Sequence, residues 1–196
     1  YFTIFESGLP PHPDQPFDSD KVVLRPTPRQ NVFVSTLMDT DMAFCGGSGG
    51  TKHLMKNWEC FSLYHTSLSY KLKRLQVMPF EPTAVVSADA VLRVRLSRAT
   101  LENMFPHVLW NEALVQRLVG LEIEYQVGNR FYFSETGKIY RYESQVDFLS
   151  AFMTALGSLT DAMLLSGPVT DRQHWEAPNE PLIKVEEEDF DSEATE

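Results

Sequence analysis

The strongest constraint on the fold is an alternation of apolar and polar side chains over residues 83–97. The apolar positions point one way (Val86, Ala88, Ala90, Leu92, Val94, Leu96), and the polar positions point the other (Ser87, Asp89, Arg93, Arg95). A period of two residues is typical of a β-strand with one buried face. The run is well beyond the usual strand of five or six residues. Such a strand needs strong curvature to fit a small domain.

Three further strands are predicted after a helical stretch. Leu121, Ile123, Tyr125 and Val127 alternate with polar residues, and Gly128-Asn129 predicts a turn. The segments 130–134 (RFYFS) and 138–143 (KIYRYE) are the next two strands, separated by Glu135-Thr136-Gly137. Hairpin-connected strands of this kind predict an antiparallel sheet.

The strongest helical pattern follows a short strand predicted at 40–45 and a glycine run. Apolar or aromatic residues recur at spacings of four and three, which predicts one helix over 51–76 (Leu54, Trp58, Phe61, His65, Leu68, Leu72, Leu75). The average spacing of 3.5 also fits a leucine zipper. The bulky side chains and the absence of flanking opposite charges favour a helix lying across a curved sheet. Shorter helices are predicted at 28–38, 99–105, 111–119, 145–156 and after Ser158.

This element order predicts an α+β domain, because the strands are joined by hairpins and no βαβ rhythm is present. We divide the chain into the end of a helix cut off at its left (1–9), a mobile proline-rich loop (10–30), the domain itself (31–167) and a disordered acidic tail (168–196). The chain begins with Tyr1 rather than methionine, so we expect a fragment of a longer protein.

Charge is distributed unevenly. The net charge is −10, but residues 176–196 contain nine acidic residues and one lysine, which leaves about −2 for the rest. A nearly neutral body argues against nucleic-acid contacts by this segment. Cys45 and Cys60 are too few for a disulfide framework or a zinc cluster, and the five histidines lack ligand spacing, so we expect no metal or cofactor. No signal peptide and no long apolar run is present, which predicts a location in the nucleus or cytoplasm, away from membranes.

The glycine run 45–52 (CGGSGGTK) invites comparison with a phosphate-binding loop. Such a loop needs glycine before the lysine and serine or threonine after it. Thr51 and His53 flank Lys52 instead. The pattern therefore predicts a tight turn or hinge before a helix, with Thr51 near its N-cap.

Three pieces of the sequence together resemble the nuclear transport factor 2-like (SnoaL-like) superfamily. They are the glycine loop leading into a long helix, the curved strands, and the ending FYFSETGKIYRYESQVDF, in which Gly137, Lys138, Ile139 and Asp147 occupy family positions. The resemblance implies a cone-shaped curved antiparallel sheet wrapped around a long helix, with a helical insert. It also implies that the outer sheet face is a usual dimer surface.

A narrower resemblance covers about residues 31–157. The strings LSRATLENMFPHVLWNEALVQRLVGLEIEY and GKIYRYESQVDFLSAF are similar to the C-terminal domain that follows the leucine zipper in bZIP-type transcription factors of water moulds. The sequence contains no basic region and no zipper, so DNA binding is carried over to none of its residues.

Inside such a cone, superfamily enzymes use His, Asp or Tyr as acids or bases, and His65 lies on the apolar stripe of the long helix. We therefore name a hypothetical ligand pocket lined by Trp58, Phe61, His65, Tyr125, Tyr132 and Tyr140. A hydrogen-bonded core histidine is the commoner interpretation of His65. We name no catalytic residue, because no base with a partner is evident. Asp147 occupies a position that matches the family, but it is explained equally well as a negative charge in the first turn of a helix.

Two surface features remain. Arg93 and Arg95 lie on the polar face of the long strand, which makes them our candidates for a dimer face, with a solvated sheet surface as the alternative. In the tail, Ile183-Lys184-Val185-Glu186 matches the pattern for SUMO attachment at Lys184. A solvating tail and a weak activation segment around Phe190 are the alternatives.

Three functions follow from these features. The first is a non-catalytic regulatory or interaction domain of a bZIP-type transcription factor, dimerising or sensing a small apolar ligand. The second is a small SnoaL-like isomerase, cyclase or hydrolase acting on an apolar substrate, which rests on fold analogy and His65. The third is a plain dimerising scaffold. A roomy cavity in which His65 and a carboxylate converge would favour an enzyme or a ligand; a cone filled by Trp58, Phe61 and the tyrosines would not.

Overall fold

The computed structural model describes residues 1–11, 22–47 and 49–167. Most of the predicted proline-rich loop (12–21) and the whole predicted acidic tail (168–196), with Lys184, lie outside the described residues. At the start of the chain we expected the end of a helix. Residues 1–9 instead form turns, in which the amides of Ile4 and Phe5 both donate to the carbonyl of Tyr1 at 3.0 Å.

The described residues form five strands, six α-helices and one short 3-10 helix at Pro106–Val108. In chain order they are α1 (Pro28–Leu37), β1 (Met38–Phe44), α2 (Gly50–Tyr64), β2 (His65–Phe80), β3 (Thr83–Leu96), α3 (Arg98–Met104), α4 (Glu112–Leu118), β4 (Glu122–Phe133), β5 (Ile139–Val146), α5 (Phe148–Leu156) and α6 (Leu159–Ser166).

The strands form one curved, open sheet in the order β1-β5-β4-β3-β2. Neighbouring strands are antiparallel except β1 and β5, which run parallel. Strand β3 is paired with β4 from Ala84↔Phe133 to Arg95↔Glu122. Helix α2 contacts β1 and β2, while α5 contacts β4 and α6. The predicted α+β class, with a curved and mainly antiparallel sheet around one principal helix, is confirmed.

The predicted helix over 51–76 is wrong in its second half, because α2 ends at Tyr64. The carbonyl of Tyr64 accepts hydrogen bonds from Ser97 Oγ at 2.6 Å and from Thr100 Oγ1, and His65 Nδ1 lies 2.9 Å from the carbonyl of Phe61. These contacts satisfy carbonyls that the end of a helix leaves free. Residues 65–80 then pair along the full length of β3.

The predicted turn at Gly128-Asn129 is also wrong. Strand β4 passes straight through these residues, which pair with Asp89 and Ala88 of β3. Asn129 is only 1% exposed and lies on the inward side of the strand. Pairing along the whole of a long β3 outweighs the local turn preference of the dipeptide.

Several helix boundaries are confirmed by their caps. The side chains of Asn111, Asp147 and Ser158 each accept a bond from a backbone amide three residues later, at the starts of α4, α5 and α6. Helix α5 ends at Gly157, whose φ of 64° is the left-handed conformation that glycine adopts readily. The predicted starts of α4 and α6 are thus confirmed, whereas α5 begins at Phe148 rather than at 145, with Asp147 as its N-cap and not in its first turn.

Candidate functional site

The interior of the curved sheet is filled by the first residues of the chain, which we call the plug (residues 1–9). The ring of Tyr1 lies at the centre of an aromatic cluster. Its centroid is 5.1–6.3 Å from those of seven other rings (Phe2, Phe5, Phe33, Trp58, Tyr70, Phe131, Tyr142). Phe5 is completely buried and stacks on Trp58 with centroids 5.0 Å apart.

The backbone of the plug is held by specific polar contacts. Gln30 Nε2, on α1, donates to the carbonyls of Ile4 at 3.0 Å and Gly8 at 2.8 Å. Ser62 Oγ accepts from the amide of Leu9 at 2.8 Å. On the other side, the amide of Tyr70 donates to the carbonyl of Glu6 at 2.7 Å, so the plug also covers part of the β2 edge. Buried backbone groups in this irregular segment are thus paired, as burial requires.

A chain of buried polar groups crosses the aromatic cluster. Trp58 Nε1 donates to Tyr1 Oη at 3.0 Å, and Tyr1 is hydrogen-bonded to Tyr142. Asn129 Oδ1 then accepts from Tyr142 Oη at 2.7 Å and from Tyr70 Oη at 2.9 Å. Asn129 Nδ2 donates to the carbonyl of Ala88 at 3.1 Å.

The chemistry of the end groups fixes the direction of every proton in this chain. An indole N–H only donates and an amide oxygen only accepts. Tyr142 therefore gives its proton to Asn129, and Tyr1 gives its own to Tyr142. Burial raises the pKa of the Tyr1, Tyr70 and Tyr142 hydroxyls, so all three remain neutral. Neutral phenol hydroxyls are weak bases, so these groups are poorly suited to take a proton from a substrate.

The space left beside this network is small. A cavity of about 60 Å³ is bordered by Trp58, Phe61 and Leu54 of α2 and by Tyr142 and Ser144 of β5. Pockets for small molecules usually measure roughly 300–1,000 Å³. The cavity has room for a few water molecules, but an organic ligand would have to displace the plug.

His65 does not border the cavity. It lies at the junction of α2 and β2, stacked on Phe61 with centroids 5.8 Å apart, and is 8% exposed. Burial lowers the pKa of His65 to about 4, although its bond to the Phe61 carbonyl acts in the opposite direction. His65 is therefore a neutral histidine near pH 7 that closes a helix end, which is the commoner of our two interpretations.

The other predicted pocket residues are dispersed. Trp58 and Phe61 border the cavity, as expected. Tyr125 is buried elsewhere, with its ring against Phe148 and Phe152 of α5. Tyr132 and Tyr140 lie on the outward side of β4 and β5, where Tyr132 Oη donates to Glu143 at 3.0 Å and Tyr140 is 44% exposed. Of the six, only Trp58 and Phe61 border the cavity.

Arg93 and Arg95 lie on the outward face of the sheet, as the alternation predicts. Arg93 Nη2 is 2.6 Å from Glu124 Oε2, and Arg95 Nη2 is 3.5 Å from Glu122 Oε2. These are cross-strand pairs between β3 and β4, and all four side chains are close to half exposed. The two arginines have carboxylate partners within the same chain.

The glycine run forms a tight turn and the start of α2. Cys45 and Gly46 adopt left-handed conformations, with φ of 48° and 82°, between reciprocal Phe44–Gly47 backbone bonds. The N-cap of α2 is Gly49, not Thr51, and it supplies no side-chain bond. A Cβ on Gly50 would lie 2.1 Å from the carbonyl oxygen of Thr40. Glycine at position 50 is thus explained by close contact with β1.

A second, open groove of about 500 Å³ lies between α4 and α6, with Trp110 and Met163 on its walls. His107 Nε2 is 3.1 Å from the carbonyls of Leu164 and Leu165. Because carbonyl oxygens only accept, this nitrogen is the donor in both contacts. Within the described ranges, no group of three or more His, Cys, Asp or Glu side chains could hold a metal ion.

The residues that organise the interior were not identified from the sequence. Asn129 is in phase with the inward positions Ile123, Tyr125 and Val127, so the strand alternation contains a signal for it. Gln30 is only 2% exposed. Its side-chain nitrogen donates to carbonyls of the plug, and its side-chain oxygen and backbone amide form the capping box of α1 with Thr27. No pattern around Tyr1 indicated that it would lie at the centre of the cluster.

Comparison with known proteins finds two kinds of likeness. One solved structure is TsrD from Streptomyces laurentii, with 12% identity and a TM-score of 0.47, covering 63% of this chain and 80% of that one. Another is a SnoaL-like polyketide cyclase from Agrobacterium tumefaciens, with 14% identity and a TM-score of 0.48, covering 64% of this chain and 84% of that one. Curated protein sequences give no match. Within the part of the chain that the structure describes, no helix has the length and apolar character needed to cross a membrane.

A family model describing the bZIP transcription factor 1 C-terminal domain matches residues 1–64. The matched region includes the plug, α1, β1 and α2, whereas the two strings that suggested the family lie at 96–125 and 137–152. The likeness to this family therefore extends to residues 1–64, which lie outside both strings. For this first third of the chain, the predicted resemblance to the C-terminal domain of bZIP-type transcription factors is confirmed.

Proposed function

We propose that this chain is a non-catalytic regulatory and interaction domain of a bZIP-type transcription factor. The observation that carries the proposal is the family match over residues 1–64. That region contains both the plug and the helix on which it packs. A family pattern that spans the plug is consistent with a filled interior as a property of the domain.

The chemistry of the interior supports a role without catalysis. General acid–base catalysis needs a titratable group whose pKa lies near the working pH and which can reach a substrate. The pKa of His65 is lowered to about 4 by burial, and the ring lies outside the cavity. The hydroxyls of Tyr70 and Tyr142 have raised pKa values, and both donate to Asn129 Oδ1. No observation among the described residues favours a SnoaL-like isomerase, cyclase or hydrolase.

A cavity of about 60 Å³ does not favour the version in which the domain senses a small apolar ligand. Interaction with protein, including a second copy of the chain, is the version we propose. The outward face with Arg93 and Arg95 remains our candidate dimer surface. Its charges already have intrachain partners, so a dimer there would have to bury or rearrange those ion pairs.

A transcription reporter tests the regulatory role. The full chain is fused to an unrelated DNA-binding domain, and we expect transcription to differ from that given by the DNA-binding domain alone. Leu165→Asp, at a completely buried position, should abolish the effect by disrupting the core. A variant ending at Gly167 separates the domain from the acidic tail. An effect that follows the tail alone, or no effect at all, would contradict the proposal.

Sedimentation equilibrium tests the dimer surface. Arg93→Glu/Arg95→Glu places charges of one sign together on the outer face and should weaken a dimer formed there. Arg98→Glu is the matched control, because Arg98 is also exposed and ion-paired but lies on α3. A dimer that is unaffected by the double variant would exclude this face, and a monomer at all concentrations would exclude the dimer.

A further inference from the structure

Strand β2 is the last strand of the sheet, and most of its outer edge is uncovered in the described part of the chain. The plug covers this edge at Tyr70, whose backbone amide donates to the carbonyl of Glu6. Beyond Tyr70, residues 71–80 are exposed or half-buried throughout. A long open edge is a template for pairing with another extended segment, and native proteins usually protect such edges.

The uncovered edge is apolar at its far end. Leu75, Val77 and Phe80 are 52%, 56% and 58% exposed. Leu75 and Val77 pair with Ala88 and Val86, on the core-facing side of the sheet. Among the described residues, the core-facing surface thus continues past the packed interior with only partial cover, while Phe80, which pairs with Thr83, lies on the opposite face. Adjacent exposed apolar side chains on one face, here Leu75 and Val77, are a feature of binding surfaces.

The near end of the same edge is basic. Lys71, Lys73 and Arg74 fall within four residues, and the stretch 71–80 contains no acidic residue. Lys71 Nζ is 3.8 Å from Glu6, and both side chains are largely exposed, so this ion pair is weak. Along the chain, the edge thus has a basic half (residues 71–74) followed by an apolar half (residues 75–80).

Residues 182–189 of the same chain (LIKVEEED) have the opposite arrangement. An apolar half with Ile183 and Val185 is followed by the acidic run Glu186–Asp189. In an antiparallel alignment the halves match, because the direction of one strand is reversed. The basic residues then lie opposite acids, with Arg74 opposite Glu186, Lys73 opposite Glu187 and Lys71 opposite Asp189. The apolar residues lie opposite apolar ones, with Leu75 opposite Val185, Val77 opposite Ile183 and Met78 opposite Leu182.

Directly opposed side chains are the unit of stabilisation in an antiparallel pair, and opposite charges and apolar pairs are both favourable. Lys184 lies opposite Gln76, which avoids a like-charge contact, and Pro181 lies opposite Pro79 at the end of the paired stretch. The bulge between Leu72 and Arg74 can shift the basic half by one residue. The continuous run Glu186–Asp189 supplies an acid in either register.

The connection is long enough. Fourteen residues lie between Gly167 and Leu182, and this connection can span about 50 Å when extended. A domain of this size is roughly 40 Å across. A covalently attached segment also has a high effective concentration at its own binding surface. These considerations favour the segment of the same chain over a free partner of similar chemistry.

We propose that residues 182–189 bind the outer edge of β2 beyond Tyr70 as an added antiparallel strand, with their acidic half opposite Lys71, Lys73 and Arg74. The contact covers the apolar surface around Leu75 and Val77. It also places Lys184 at the sheet edge, where a modifying enzyme would have to displace it. The interaction needs no role in transcription, and its test is independent of the reporter assay.

Amide hydrogen exchange, measured by NMR on the full chain, tests the contact. We expect slow exchange for those amides of residues 72–78 that point away from β3. Glu186→Arg/Glu187→Lys should accelerate their exchange about tenfold or more. Adding Arg74→Glu/Lys73→Glu to that variant should restore slow exchange, because the charges are swapped rather than removed. Unchanged exchange at Val94 and Ile123 shows that each variant is folded.

Glu176→Lys/Glu180→Lys is the matched control, with the same change in net charge outside the segment. It should leave exchange at the β2 edge unchanged. Equal effects of the control and the test variant would overturn the specific pairing, as would fast exchange in the wild type. Protection that rises with protein concentration would place a second copy on the edge and overturn the intrachain contact. Concentration-independent protection with rescue by the charge swap supports it.

Discussion

Trp58 Nε1 donates a hydrogen bond to Tyr1 Oη at 3.0 Å, which joins the first residue of the described chain to the middle of α2. This contact begins the polar chain that ends at Asn129. Because the chain is completed by groups from α2, β4, β5 and the plug, its free energy depends on all four elements together. The interior of the sheet is thus a packed core rather than a vacant binding cone.

Asn129 and Tyr70 should contribute unequally to stability. Asn129→Ala leaves two phenol donors and the Ala88 carbonyl without their partner, and we expect a loss of roughly 3 kcal/mol or more in the free energy of unfolding. Tyr70→Phe removes one of two donors to Asn129 Oδ1, and should cost about 1 kcal/mol. Urea denaturation measures both. Equal costs would mean that the asparagine is not the common acceptor.

The plug should behave as part of the core. Phe5 is completely buried and stacked on Trp58, so Phe5→Ala should lower the free energy of unfolding by about 3–5 kcal/mol. Phe33→Ala, at a half-buried position beside Tyr1, is the control and should cost clearly less. Tryptophan fluorescence provides the independent readout, because loss of Phe5 exposes one face of Trp58. A Phe5→Ala protein as stable as the control variant would contradict the described packing.

His65 should make the protein less stable in acid. Its folded pKa of about 4 lies below the unfolded value of 6.5, so the unfolded state binds more protons between these pH values. The contribution of His65 to the free energy of unfolding should therefore be fully present above pH 6.5. It should be lost as the pH falls towards 4, which lowers the free energy of unfolding by on the order of 3 kcal/mol. The measurement is urea denaturation across this range for wild type and His65→Gln. Identical pH profiles for the two proteins would rule out this contribution.

A side chain at position 50 should destabilise the protein. Its φ is 58°, and an added Cβ would lie 2.1 Å from the carbonyl oxygen of Thr40. Gly50→Ala should therefore cost roughly 2–4 kcal/mol through strain and displacement of β1. Gly128→Ala is the control, since nothing lies within 4 Å of a Cβ there, and should change stability by less than about 0.5 kcal/mol. Thermal denaturation of the two variants compares them directly, and similar melting temperatures would refute the explanation.

The sequence determined the elements whose signals are local. Alternation in residues 83–97 specified β3, because a half-buried strand must place apolar residues on one face. The side chains of Asn111 and Ser158 specified where two helices begin, because each bonds an amide of its own first turn. The sequence also favoured a core role for His65 over a catalytic one.

Only the tertiary structure decided where the principal helix stops and what fills the sheet. The apolar spacing is the same on both sides of His65, so periodicity cannot distinguish α2 from β2; the hydroxyls of Ser97 and Thr100 end the helix from a distant part of the chain. Pairing with β3 likewise extended β4 through Gly128-Asn129. Tyr1 reached the interior through contacts with residues 57 to 141 positions away. Such long-range contacts leave no local pattern, and their energies exceed the local preferences that they override.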